Sequence, residues 1–144
     1  EETGSVSPDG KWLAYGSDEG GRWQVYVRPF RGPGGRTLIS TGTAESPLWA
    51  SNTEVVYAVG SQSLTAATLE FSPTVRVVER TRLFGIESYL PGRSSPQFDI
   101  SRDGQRFLVN LSKASPGSPI VVILGLAEEI RTRGARLAGA GSSQ

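Results

Sequence analysis

Apolar residues fall in short runs along the chain, and many runs are closed by glycine, proline, serine, asparagine or aspartate. Trp12-Leu13-Ala14-Tyr15 is nearly continuous in its apolarity, the pattern of a strand covered on both faces. Trp23-Gln24-Val25-Tyr26-Val27-Arg28 alternates, which predicts a second strand with Trp23, Val25 and Val27 on one face. Thr37-Leu38-Ile39-Ser40 predicts a short outer strand. Further strands are expected at Val55-Val56-Tyr57, at Leu64 to Leu69, at Val75-Arg76-Val77-Val78 and at Phe107 to Leu111, with Pro73 separating the second and third of these. Ile120-Val121-Val122-Ile123-Leu124 is β-branched and apolar throughout, as a fully buried strand would be. Helical spacing occurs at Leu126-Ala127-Glu128-Glu129-Ile130-Arg131, predicting a short terminal helix over 126–133 and a flexible small-residue tail over 134–144.

One turn-then-strand unit recurs. Ser7-Pro8-Asp9-Gly10-Lys11 precedes the first apolar run, and Ser101-Arg102-Asp103-Gly104-Gln105 precedes Arg106-Phe107-Leu108-Val109. Pro8 presets φ, Asp9 and Asp103 can bond their own backbone, and Gly10 and Gly104 supply positive φ. A worn copy lies at Ser51-Asn52-Thr53, where β-branched Thr53 tolerates left-handed geometry poorly, so a different turn is expected there. Asp9, Asn52 and Asp103 are 43 and 51 positions apart, close to the period of about 40 to 50 residues at which four short strands form one repeat. Helical solenoids fail the strand-like pattern between copies. The expectation is an all-β fold: a partial β-propeller arc of about three four-stranded antiparallel blades over 1–43, 44–90 and 91–125.

Composition narrows the chemistry. The 144 residues include 18 glycines and 9 prolines, fitting many strands and tight turns. Fifteen basic and fourteen acidic residues leave a net charge of +1, which gives no reason to propose nucleic acid. With no cysteine there is no disulfide or thiolate site, and with no histidine there is no Ser-His-Asp triad and no imidazole ligand. No apolar run approaches the roughly 18 residues of a membrane span. Gly-x-Ser-x-Gly and the protein-kinase signatures do not occur. Gly32-Pro33-Gly34-Gly35-Arg36-Thr37 lacks the P-loop lysine and reads as a turn, and Asp18-Glu19 lacks the ligand density of a calcium loop. Trp12, Trp23 and Trp49 are read as core packing between blades rather than as a stacking surface. The expectation is a non-catalytic chain with no metal and no cofactor.

From Ser7 to Tyr15 the chain resembles the TolB-type (WD-like) propeller repeat, marked by a Ser-Pro-Asp-Gly turn, a basic residue, an apolar pair and an aromatic. Residues 17–19 with 22–30, 98–108, and 120–124 with 128–130 resemble propeller regions C-terminal to bacterial serine/threonine protein kinases. The middle turn, Arg102 in place of proline, and Gly125-Leu126-Ala127 depart from that pattern. The resemblance implies a sensor or protein-interaction module, an extracytoplasmic, periplasmic setting with the cytoplasm left open, and further blades in a longer polypeptide. The rival expectation is an accessory propeller beside a peptidase-type hydrolase domain encoded elsewhere. In either case the partner, a protein or small ligand, is expected on the propeller rim opposite Asp9 and Asp103. That rim takes in 17–21, 42–45, 61–63, 85–95 and 112–117, with Glu87, Tyr89 and Arg93 as candidate contacts because Tyr and Arg dominate interface hot spots.

Overall fold

The computed structural model describes residues 4–60, 63–86, 98–110 and 120–124, and within them every regular element is a strand. Within each sheet every strand pairs antiparallel with the one before it, so neighbours in sequence are neighbours in space. The first sheet runs β1 (Gly4–Val6), β2 (Trp12–Ser17), β3 (Gln24–Pro29), β4 (Thr37–Leu38), in that spatial order. The second repeats the plan with β5 (Ala44–Ser51), β6 (Glu54–Val59), β7 (Ser63–Glu70) and β8 (Arg76–Gly85). The third contains β9 (Phe98–Ile100), β10 (Arg106–Asn110) and β11 (Ile120–Leu124).

The sheets stack face to face, and the alternation of side chains along the strands explains how. Ala14, Val25 and Val27 of the first sheet meet Val55, Tyr57, Ala67 and Leu69 of the second in one buried cluster. Val56, Ala58, Leu64 and Ala66 point the other way and meet Phe98, Phe107 and Val109 of the third sheet. The second sheet is thus buried on both faces, which is why Val55-Val56-Tyr57-Ala58 is an unbroken apolar run in the middle of a strand. Trp12 stacks on Phe71 with ring centroids 4.6 Å apart, Trp49 lies 6.4 Å from the same ring, and both indoles pack against the first cluster. The Trp49 indole N–H also donates to the Ser5 carbonyl at 2.9 Å, tying β5 to the first sheet through an atom that burial would otherwise leave orphaned.

Three expectations need correction or limits. β8 was expected to stop at Val78 and instead extends to Gly85, so Gly85 is strand and Ile86, at 2% exposure, is core. Glu79, Arg80 and Arg82 lie within it because an edge strand has only one neighbour, and exposed charge there discourages further pairing. The third sheet has three described strands, in the order β11, β10, β9, against the four expected, and residues 111–119 and 125–144 lie outside the described ones. The helix expected over 126–133 lies outside the described residues.

Candidate interaction site

The turn residues singled out from sequence occupy one edge of the stack. Asp9 Oδ1 accepts from Ser7 Oγ at 2.6 Å and from the Lys11 amide at 3.1 Å, the Trp12 amide donates to Ser7 Oγ, and the Gly10 amide donates to the Ser7 carbonyl. Asp103 repeats the arrangement: it accepts from Ser101 Oγ and the Gln105 amide, the Arg106 amide donates to Ser101 Oγ, and the Gly104 amide donates to the Ser101 carbonyl. Gly10 and Gly104 have φ of 73° and 68°, the left-handed region that the turn requires. The middle turn differs as expected. Neither Asn52 nor Thr53 has positive φ, and only these two residues separate Ser51 from its partner Glu54. Asn52 instead turns outward and accepts the Asp9 amide at 3.0 Å, linking the first two sheets at this edge. A Cβ on Gly104 would lie 3.1 Å from the Ala50 carbonyl oxygen, so the second and third sheets also meet here through close backbone approach.

These hydrogen bonds have an electrostatic signature. The Ser7 hydroxyl, before any other group, holds the Asp9 carboxyl below its ordinary value of 3.8, and Ser101 does the same for Asp103. Both folded values are depressed, so the stabilisation is present above the ordinary value and is lost as pH falls through the folded one. Ser7→Ala is expected to move the Asp9 titration back up toward 3.8, read by carboxyl-carbon NMR, while Asp103 is unchanged. A common shift of both resonances would count against two separate local turns.

On the opposite edge the loop after β2, the connection from β4 to β5 and the turn after β6 come together. The Ala44 amide donates to the Trp23 carbonyl at 2.9 Å, and the Gly60 amide to the Thr43 carbonyl at 3.0 Å. Several residues assigned to these loops from sequence are strand termini instead, namely Ser17, Ala44, Glu45 and Ser63. The structure therefore brings 18–23 and 39–43 to one edge. Glu87, Tyr89 and Arg93 lie outside the described residues. Among the described residues no group of three or more His, Cys, Asp or Glu is placed to hold a metal ion.

The most developed polar chemistry lies on sheet faces that sequence reading passed over. Tyr57 donates its hydroxyl to the Ile39 carbonyl at 3.3 Å, and Arg80 Nε donates to the same oxygen at 2.9 Å. A tyrosine on the second strand and an arginine on the fourth thus hold one backbone carbonyl of the preceding sheet between them. Burial raises the Tyr57 pKa, with Arg80 opposing, so the phenol stays protonated and able to donate at neutral pH.

The first sheet carries the same pair. Leu13 pairs with Arg28 as Val55 pairs with Ala67, and Tyr15 pairs with Tyr26 as Tyr57 pairs with Thr65. Arg80 pairs with Ala67, and Arg36, one residue before the Val27–Thr37 pair, stands opposite Arg28 in the equivalent place. Tyr15 and Arg36 are therefore the register counterparts of Tyr57 and Arg80. Tyr15 stacks on Tyr26 at 5.9 Å, the Arg28 guanidinium lies 5.6 Å from the Tyr15 ring centre, and that of Arg36 lies 4.8 Å from the Tyr26 ring centre. Arg36 is ion-paired with Glu19 from the loop after β2, which lowers the Glu19 pKa and, with the Tyr15 hydroxyl second, raises that of Arg36. Leu38 and Val6, 42% and 40% exposed, complete the face, and neither core cluster draws on it. The sequence signal for this pair was an aromatic within the second strand, three places after its first apolar residue at Tyr15 and two at Tyr57, followed by an arginine just before the fourth strand at Arg36 and inside it at Arg80. It becomes visible only once strand register is known.

No family model matches the chain, and no curated protein matches it.

Proposed function

We propose that the three sheets are blades of a TolB-like β-propeller arc serving as a non-catalytic sensor or protein-interaction module of a larger bacterial receptor-like kinase or TolB-like protein. The single observation that carries the reading is the recurrence of one hydrogen-bonded Ser-x-Asp-Gly turn, at Ser7 and at Ser101, on the same edge of sheets packed face to face. Such repetition builds a rigid scaffold, and recognition then falls to loops. The edge opposite the repeated turn, formed by 18–23 and 39–43, is the place for a protein or small-ligand partner. A chain without the protein-kinase signatures leaves any kinase chemistry to a separate domain, and the kinase resemblance favours a setting outside the cytoplasm, with the cytoplasm left open.

Reading the coding sequence on both sides of this segment tests the assignment. A kinase domain followed by one apolar span upstream supports it. A neighbouring Gly-x-Ser-x-Gly hydrolase domain would replace it with the accessory-propeller reading, in which the sheets gate access to that catalytic site.

A further inference from the structure

We infer that the edge formed by 18–23 and 39–43 binds a neutral sugar, a β-linked glucosyl or N-acetylglucosaminyl unit, stacked on the Trp23 indole and hydrogen-bonded by Asp18 and Arg22. The inference rests on the functional reading above, which places recognition on this edge, and it names the partner's chemistry.

Trp23 departs from the core packing expected of all three tryptophans. Trp12 and Trp49 pack against the first core cluster, whereas Trp23 belongs to neither cluster and is only half-buried. Its six-membered ring rests on Gly16, where an added Cβ would lie 3.6 Å from ring atoms Cε3 and Cζ3. Glycine weakens a strand interior, and here it lets a large ring lie against the sheet. The Trp49 N–H is held by the Ser5 carbonyl, but the Trp23 N–H has no acceptor among the described residues. Since no buried side-chain nitrogen among them lacks a partner, that N–H is open to solvent.

The backbone around the ring is fastened in advance. Asp18 and Trp23 are the next positions beyond Ser17 and Gln24, the last pair of the β2–β3 ladder, and the Gly21 amide closes the turn between them on the Asp18 carbonyl at 2.7 Å. The neighbouring loop is pinned at both ends, by Ser40 Oγ accepting the Val25 amide at 2.9 Å and by the Ala44 amide on the Trp23 carbonyl. Loops held this way lose little freedom on binding.

Charge selects the ligand. Glu19 is neutralised by Arg36, which leaves Asp18 and Arg22, both exposed and both without a side-chain partner among the described residues. One acceptor and one donor of opposite sign sum to zero, so the edge offers no net attraction to an ionic ligand. Both groups are planar and can bond paired hydroxyls, and Thr41 and Thr43 add exposed hydroxyls of their own. A β-glucosyl ring has equatorial hydroxyls to meet such groups and an apolar C–H face to meet the indole.

Calorimetric titration of the full chain with cellotriose and with chitotriose is expected to give saturable binding of at least one at millimolar concentration. Trp23→Ala is expected to weaken it about tenfold or more, the scale of losing a stacking ring, and Trp23→Phe to recover part of the loss. Asp18→Ala and Arg22→Ala, at exposed side chains outside the core, are each expected to weaken it about tenfold while leaving the thermal midpoint in place.

Failure of both sugars to bind overturns the inference, as does unchanged affinity in Trp23→Ala. Binding of trilysine in place of the sugars also overturns it, because the indole would then serve a cation. The module assignment stands or falls separately, on the neighbouring coding sequence, and a hydrolase domain found there would leave the sugar site standing.

Discussion

Replacing Tyr57 by alanine is expected to cost about 3–5 kcal/mol, the range for removing a large buried aromatic ring. Tyr57 is fully buried between the first two sheets, and a domain this size has only about 5–15 kcal/mol to lose, so the variant is expected to sit near its unfolding midpoint in dilute denaturant. Tyr57→Phe keeps the ring and is expected to cost only about 1 kcal/mol, because Arg80 still satisfies the Ile39 carbonyl. Arg80→Ala alone is similarly mild. The two together leave the carbonyl without either donor, so the double variant is expected to lose more than the sum of the singles in urea titrations. Simple additivity would show that the two side chains act independently at that oxygen.

The second large effect concerns the other interface. Phe107 is 3% exposed, meets Phe84 edge-on at 5.5 Å and anchors the third sheet against the second. Phe107→Ala is expected to remove about 3–5 kcal/mol, including the edge-to-face contribution of roughly 0.5–1.5 kcal/mol. The loss is expected to be local. Amides of β9 and β10 exchange faster by hydrogen–deuterium exchange, while Val25 and Val27, buried in the separate first cluster, keep their protection. Uniform loss of protection in all three sheets would mean that the stack folds as one indivisible unit.

What the sequence made legible was whatever depends on a residue and its near neighbours. The Ser-x-Asp-Gly turns and the alternation of β3 follow from local chemistry and period. Trp12 to Tyr15 was only partly legible. Trp12 and Ala14 do face the second sheet, but Leu13 and Tyr15 lie on the opposite face, where the Arg28 guanidinium rather than another sheet roofs the Tyr15 ring. The extension of β8 left no mark because an edge strand needs no apolar alternation, and Glu79-Arg80-Thr81-Arg82 carries none. The tyrosine–arginine pairs were not legible because their partners are 23 and 21 residues apart and become neighbours only through the register of two hairpins. Arg36 in particular was absorbed into a glycine-rich turn, when it stands across from Arg28 at the start of the outer strand.

The Ile39 carbonyl also has a consequence in time. It lies on the segment that carries the chain out of one sheet and into the next, and its arginine donor comes 41 residues later. As the polypeptide emerges from the ribosome, the first sheet can pair its strands while its exit remains unfastened, until the outer strand of its successor arrives. The first sheet is thus sealed by the second, synthesised after it, which gives this step of assembly a direction from the N-terminal end toward the C-terminal end.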